Sequence, residues 1–292
     1  MTVTEKAYAK INLHLDITGR LSGGYHSVNT VMQSVSLCDT VTLTPREDGV
    51  YSLSCNAPSV PLDENNLAVR AARAFEAAIG RQIGAEVTID KQIPVAGGLA
   101  GGSADAAAML RCLNTMCGSP LTAEELCAIG GKLGADIPFC VVGGSALAVG
   151  KGDLLHPFPP MPDCTLIIAS GGEGVSTPFA YGLLDGLYGG FTPESGYLPR
   201  SLDGLHSAAE SQSLDAICQN IFNIFESPIL SVRPVAAKIK QTLLDVGAVG
   251  AMMSGSGPSV FGVFHTHDSA AVALACEKLR AIGVIPHVCK PI

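Results

Sequence analysis

The chain has 292 residues, 47% hydrophobic and 15% charged, with 33 glycines and no tryptophan. That composition builds a core, excludes a disordered chain and is long enough for two domains. A formal net charge of −8 without any basic run excludes general attraction to nucleic acid or anionic membranes, so an anionic small substrate needs local groups to hold it.

The opening "MTVTEKAYAKINLHLDITG" lacks the charged, apolar and small-residue regions of a signal peptide. No apolar run approaches the ~20 residues of a membrane span. Ten cysteines, among them Cys38, Cys112, Cys117, Cys140 and Cys276, are scattered without a CxxC pair. They read as reduced thiols of a cytoplasmic protein; zinc is the sharper alternative, but it lacks paired ligand spacing.

In chain order, "VTEKAYAK" and "NLHLDIT" alternate as strands with Leu13, Leu15 and Ile17 on one face, and "TVTLT" and "VYSLSC" continue the pattern. A helix is expected over 66–79, ended by Gly80, then a strand over 85–90. A second helix is expected over 103–116, with Ser103 suited to its N-cap and Asp105 in its first turn. Thr122-Ala-Glu-Glu125 reads as a capping box opening a helix closed by Gly134, after which Asp136, followed by Pro138, sits at an element boundary and "CVVGGSALAVG" returns to strand. "PFPPMP", over 157–162, resists both helix and ladder and marks a domain boundary. Beyond it come a strand at 165–170 and an irregular Gly/Pro-rich tract to about 201. A helical region runs on to Phe225, and a helix starts at Pro234 and ends before Gly247. "AVGAMMSGSGPSVFGVF" reads as strand, glycine turn and strand, followed by a helix over 268–282 and a last strand "VIPHV". This order fits two α+β domains, each a largely antiparallel sheet with helices on one side.

The chemistry concentrates in "PVAGGLAGGSADAAAM", residues 94–109. Each glycine costs roughly 0.5–1 kcal/mol of order in a regular element, so a cluster implies backbone that other residues cannot adopt. Between a strand and a helix, such a loop presents bare amides and a positive helix end to a phosphate. A tight, closely packed turn is the plainer reading, but it needs fewer glycines. Known phosphate loops fail here: Ser103 stands where GxxxxGK[ST] requires Lys, and neither GxGxxG nor a GxSxG elbow occurs.

This segment resembles the second motif of the GHMP kinase superfamily, and "AKINLHL" before it and "SGSGPSVFGVF" after it match the other two motifs in order. The resemblance implies a two-domain α+β fold. Residues 1–157 would form an ATP-binding and catalytic domain like ribosomal protein S5 domain 2, and residues 158–292 a ferredoxin-like domain completing the substrate site. "AKINLHLDITGRLSGGYHSVNTVMQSVSLCDTV", "ENNLAVRAA" and "LGADIPFCVVGGSALAVGKGD" resemble the branch that phosphorylates the 2-hydroxyl of a cytidine-diphosphate-linked methylerythritol; Gly23 departs from an Asp common before its Gly-Tyr-His. The alternatives are another GHMP small-molecule kinase, or a non-catalytic nucleotide-binding protein on the same scaffold.

Carried over position by position, the resemblance makes Lys10 and Asp136 the catalytic pair. On residue type alone they would be an edge lysine and a turn aspartate. It implies ATP contacts at Asn66, Leu67, Pro94, Ala96, Gly97, Gly98, Leu99, Ala100, Gly101, Gly102 and Ser103, although Asn66 also reads as an N-cap. It implies substrate contacts at Asn12, Tyr25, His26, Asp136, Thr177 and Tyr181. Tyr25 would stack on the base, the His26 segment would bind its edge, and Tyr181 would cover its other face, with Phe179 the rival if the register slips. Ser254, Gly255, Ser256 and Gly257 would form the third glycine motif, otherwise a hairpin turn. Mg2+ should accompany ATP; no acidic cluster names its ligands, and Ser103 is a candidate contact.

Overall fold

The computed structural model describes residues 1–292 apart from the side chain of Pro193. Its elements are β1 (Val3–Arg20), β2 (His26–Arg46), β3 (Tyr51–Cys55), α1 (Leu67–Ile79), β4 (Gly84–Asp90), α2 (Gly101–Met116), α3 (Ala123–Gly131), α4 (Ile137–Val142), β5 (Ser145–Val149) and β6 (Leu154–Pro157). They continue with β7 (Thr165–Ala169), α5 (Thr177–Tyr188), α6 (Asp203–Glu210), α7 (Leu214–Asn220), β8 (Phe222–Asn223), α8 (Glu226–Val232), α9 (Pro234–Asp245), β9 (Gly250–Met253), β10 (Val260–Phe264), α10 (Ser269–Ala281) and β11 (Pro286–Cys289). The chain forms two compact units: the first holds Met1–Ala9, Leu37–Val95 and Ala100–Gly143, the second Lys10–Ser36, Ala96–Leu99 and Gly144–Ile292. The boundary expected at 157/158 falls inside the second unit, because β1 and β2 each lend residues to both.

In the first unit β4 lies between β2 and β3, antiparallel to β2 from Thr40↔Asp90 to Arg46↔Gly84 and parallel to β3. Ala85, Val87 and Ile89 are buried while Glu86, Thr88 and Asp90 face water, the alternation of a sheet covered on one face. The cover is helical. Asn66 caps α1 by accepting from Ala68 N, and Gly80 ends it in the left-handed conformation that glycine adopts without strain. The Ala-rich α2 buries Ala104, Ala106, Ala107 and Ala108, small side chains that let its neighbours approach closely. Thr122 and Glu125 form the expected capping box of α3.

The second unit contains the sheet β11-β7-β10-β9, antiparallel throughout. With helices between β7 and β9 and between β10 and β11, this is the expected ferredoxin-like arrangement. Ile167, Phe264, Ile239, Leu243 and Leu279 lie in its core. In the same unit β5 pairs with β2 and with β6, and β1 runs parallel to β8 at His14↔Phe222.

Several local expectations are corrected. The two N-terminal strands are one strand of 18 residues, the buried alternation running on unbroken through Lys10, Ile11 and Asn12. Residues 140–142, expected as strand, belong to α4: Pro138 sits in its first turn, where its missing amide costs nothing. Helix α3 stops at Gly131, short of Gly134. The irregular tract contains α5, capped by Ser176 onto Phe179 N with Pro178 in its first turn. Ser103 is not the N-cap of α2; Ala100 is, in left-handed backbone, so Asp105 lies beyond the first turn.

Candidate active site

The glycine loop has left-handed backbone at Ala96 (φ 54°), Gly98 (79°) and Ala100 (58°), alternating with ordinary residues at 97 and 99. Such alternation points successive amides into one concavity, the geometry of an anion nest. Two of the three are alanines, which cost roughly 1–2 kcal/mol each there; strain of this kind is held by the structure around it.

Part of that support lies in the second unit. Lys10 N donates to Leu99 O (3.1 Å) and Ser259 N to Gly97 O (3.1 Å). The third glycine motif presses on Gly98: a Cβ on Gly98 would sit 2.3 Å from Ser254 O, and one on Gly255 2.7 Å from Gly98 O. Asn223 anchors the motif, donating from Nδ2 to Met253 O (2.7 Å) and Gly255 O (2.8 Å). Lys10 is buried, and its Nζ donates to Asn12 Oδ1 (2.6 Å) and Gly98 O (3.2 Å). Ser254 Oγ lies 3.1 Å from Gly98 O and 3.3 Å from Asn12 Oδ1, while Asn12 Nδ2 donates to Thr30 Oγ1 (2.7 Å). Lys10, Asn12, Gly98 and Ser254 are therefore one network. Asn12 orients the ammonium, a role that its reading as a substrate contact did not include.

The first unit carries Asn66, Leu67, Pro94, Gly101, Gly102, Ser103 and Asp136. Asn66 is committed as a cap and donates from Nδ2 to Pro61 O (2.8 Å). Half-buried Asp136 occupies the N-cap position of α4. The turn before it passes close to α2: a Cβ on Gly134 would lie 3.9 Å from Ser103 Oγ.

Beneath the start of α2 is a buried cluster that the sequence did not reveal. Lys91 Nζ bonds Asp39 Oδ2 and Asp105 Oδ2 (2.7 Å to the latter), and Asp39 Oδ1 accepts from Gln92 N and Ile93 N at the loop's entrance. Lys91 Nζ also lies 3.3 Å from where a Cβ on Gly101 would stand. Burial raises Asp105 and Asp39 raises it further, against the pull of Lys91; burial lowers Lys91, but the two carboxylates outweigh it and hold it above its ordinary range. Removing one member would leave buried charge uncompensated, at a cost of about 3–5 kcal/mol. Asp105 is thus a clamp on the loop's frame rather than a helix-dipole partner.

A second unforeseen feature is a polar stripe on β1. Lys10, Asn12, His14 and Asp16 alternate with Ile11, Leu13, Leu15 and Ile17, and all eight are buried. Burial, then the nearby Arg200, lowers His14 to about 4. Burial raises Asp16, against hydrogen bonds from Tyr197 Oη and the Arg200 amide. Tyr197 and Arg200 thus dock the end of the Gly/Pro-rich tract onto this strand.

Tyr25 is 58% exposed, with Lys151 Nζ 4.2 Å from its ring centroid. His26 is buried, and Tyr181 stacks on it (4.5 Å, 26°) while meeting Phe225 edge-on. One face of Tyr181 is thereby used within the protein, whereas its rival Phe179 is exposed, as is Thr177 at the start of α5. Among the described residues no group of three or more His, Cys, Asp or Glu side chains could hold a metal. Among the described residues no helix is long and apolar enough to cross a membrane.

Residues 66–144 match the family described as GHMP kinases N terminal domain, and residues 193–281 the family described as GHMP kinases C terminal. The chain is 44% identical over 264 residues to the 4-diphosphocytidyl-2-C-methyl-D-erythritol kinase of Brevibacillus brevis, covering 90% of this chain and 88% of that protein. It is 42% identical over 292 residues to the enzyme of the same name from Gloeobacter violaceus, covering 99% and 94%. A crystal structure of 4-(cytidine 5'-diphospho)-2C-methyl-D-erythritol kinase superposes with a TM-score of 0.78 at 28% identity, covering 99% of both chains.

Proposed function

We propose, because the chain belongs to the 4-diphosphocytidyl-2-C-methyl-D-erythritol kinase family of the GHMP kinases, that it transfers the γ-phosphoryl group of ATP to the 2-hydroxyl of 4-diphosphocytidyl-2-C-methyl-D-erythritol. The products are ADP and the 2-phosphate, an intermediate of non-mevalonate isoprenoid precursor synthesis. The observation that carries this reading is the joining of Lys10 to the glycine loop through Gly98 O, with the third motif closing on the same residue.

In this reading the amides over 96–103 hold the triphosphate, and Asn66, Leu67 and Pro94 border the adenosine. Asp136 accepts the proton of the 2-hydroxyl as that oxygen attacks. Lys10, held by Asn12, offsets the negative charge that develops as the oxygen attacks. Positioning and charge stabilisation supply most of phosphoryl-transfer catalysis, so no phosphoenzyme is required. Mg2+ bound with ATP would neutralise phosphate charge, and Ser103 is the side chain that would help to hold it. Asp105 is unsuited to act as the base, being committed to Lys91. Tyr25 and His26 receive the cytidine, and base stacking is worth ~1–3 kcal/mol. Ten scattered cysteines without paired spacing support a reducing, cytoplasmic setting.

A coupled ADP-release assay across the cytidyl substrate, mevalonate and homoserine tests the assignment. Turnover is expected with the cytidyl substrate; turnover of mevalonate or homoserine without it would overturn the assignment.

A further inference from the structure

The turn that precedes Tyr25 is held from outside itself. Gly23 and Gly24 take left-handed backbone (φ 77° and 81°), and a Cβ on Gly24 would meet nothing within 4 Å. Arg20, at the end of β1, supplies the missing support: Nη1 donates to Gly24 O (3.2 Å), Nε to Gly190 O (2.7 Å), and Nη2 lies 2.7 Å from Asp185 Oδ2. The other carboxylate oxygen of Asp185 lies 2.7 Å from His26 Nε2. Asp185 on α5 therefore bridges Arg20 and His26, although it lies 159 positions from His26 in the chain. Tyr181 stacked on the imidazole and Phe191 meeting it edge-on (5.7 Å, 87°) fix the plane of the ring.

A carboxylate only accepts hydrogen bonds, so the hydrogen between Asp185 and His26 belongs to Nε2. In the neutral ring this leaves the lone pair on Nδ1. Cytosine presents an amino donor at position 4 where uracil presents a carbonyl acceptor, so an Nδ1 acceptor matches the first and repels the second. We infer that Asp185, braced by Arg20, is a positioning residue that fixes His26 as the Nε2–H tautomer, so that Nδ1 accepts from the cytosine 4-amino group and the site selects cytidine over uridine. This rests on the reading that Tyr25 and His26 receive the nucleoside.

Asp185→Asn tests it. Arg20 only donates, so the carboxamide turns its oxygen to Arg20 and its NH2 to His26. Nε2 must then accept, and the ring proton moves to Nδ1. Nitrogen-15 NMR of histidine-labelled protein near pH 8, with the His26 signals identified by their loss in His26→Gln, is expected to show a protonated Nε2 in the wild type and a protonated Nδ1 in the variant. The ratio of kcat/KM for cytidine- over uridine-diphosphate-linked methylerythritol is expected to fall about 10- to 100-fold in the variant, while KM for ATP stays within about twofold. A wild-type ring protonated on Nδ1 or on both nitrogens overturns the inference without any variant, so a poorly folded Asp185→Asn does not shield it. A tautomer exchange that leaves the ratio unchanged also overturns it. Failure of the wild type to use either nucleotide-linked alcohol would instead sink the functional reading, whatever the tautomer.

Discussion

Adding one methyl group at Gly98 strikes the point where the glycine loop, the third motif and Lys10 meet. The new Cβ would lie 2.3 Å from Ser254 O and 3.0 Å from Gly257 N, both backbone atoms that no rotamer change can move aside. Ordinary contact begins near 3.4 Å, so loop and motif must separate by about 1 Å. The φ of 79° adds roughly 1–2 kcal/mol for any residue with a Cβ. A shift of that size breaks the 3.2 Å bond from Lys10 Nζ and the 3.1 Å bond from Ser254 Oγ, since both end on Gly98 O. Together these terms amount to about 2–5 kcal/mol of stability. A misplacement of ~1 Å at the reacting centre costs about 100-fold in rate. Gly98→Ala is therefore expected to lower kcat about 100-fold in the ADP-release assay and to melt several degrees early. Gly186→Ala in α5, where a Cβ meets nothing within 4 Å, is expected to keep its activity and gain ~0.5–1 kcal/mol. A Gly98→Ala enzyme with kcat within about threefold of wild type and an unchanged melt would refute the reasoning that joins loop, motif and lysine.

Asp136→Asn is expected to remove most turnover while calorimetry still shows ATP binding close to wild type; equal loss of both would make Asp136 structural. Tyr25→Ala is expected to raise KM for the cytidyl substrate about 10-fold or more and leave that for ATP nearly unchanged, and an unaltered substrate KM would remove Tyr25 from the pocket. His14 has a folded value of about 4 against 6.5 unfolded, so the unfolded chain binds the extra proton and stability falls as pH drops through that window. The loss amounts to about 2 kcal/mol between pH 7.5 and pH 5. Buried Asp16 has the opposite sign, its raised value favouring the folded state as pH falls towards the ordinary carboxylate range. Urea unfolding of His14→Phe against wild type isolates the histidine; parallel pH profiles would contradict this account.

What could be read from the sequence was local. The Asn66 cap, the Gly80 terminus and the Thr122–Glu125 box involve residues at most a few positions apart, and each forms as expected. Helix α5 carried its own signal in Ser176 followed by Pro178, but the surrounding glycines masked it. Helix α4 was misread because "CVV" favours strand by propensity, while Pro138 and the contacts around it decided for helix. The stripe on β1 was half visible: the apolar alternation was read as one buried face, and only tertiary structure shows that the polar face is buried too. Lys91 joins partners 52 and 14 positions away, and Arg20 reaches Asp185 across 165, separations that leave no pattern in a single sequence.

The most direct test of the phosphorylation itself is phosphorus-31 NMR of wild-type protein incubated with ATP, Mg2+ and 4-diphosphocytidyl-2-C-methyl-D-erythritol. The expected spectrum gains one phosphomonoester resonance in step with ADP, and the substrate's diphosphate pair remains intact. ADP accumulating without a new ester, or an ester attached elsewhere than the 2-hydroxyl, would contradict the account.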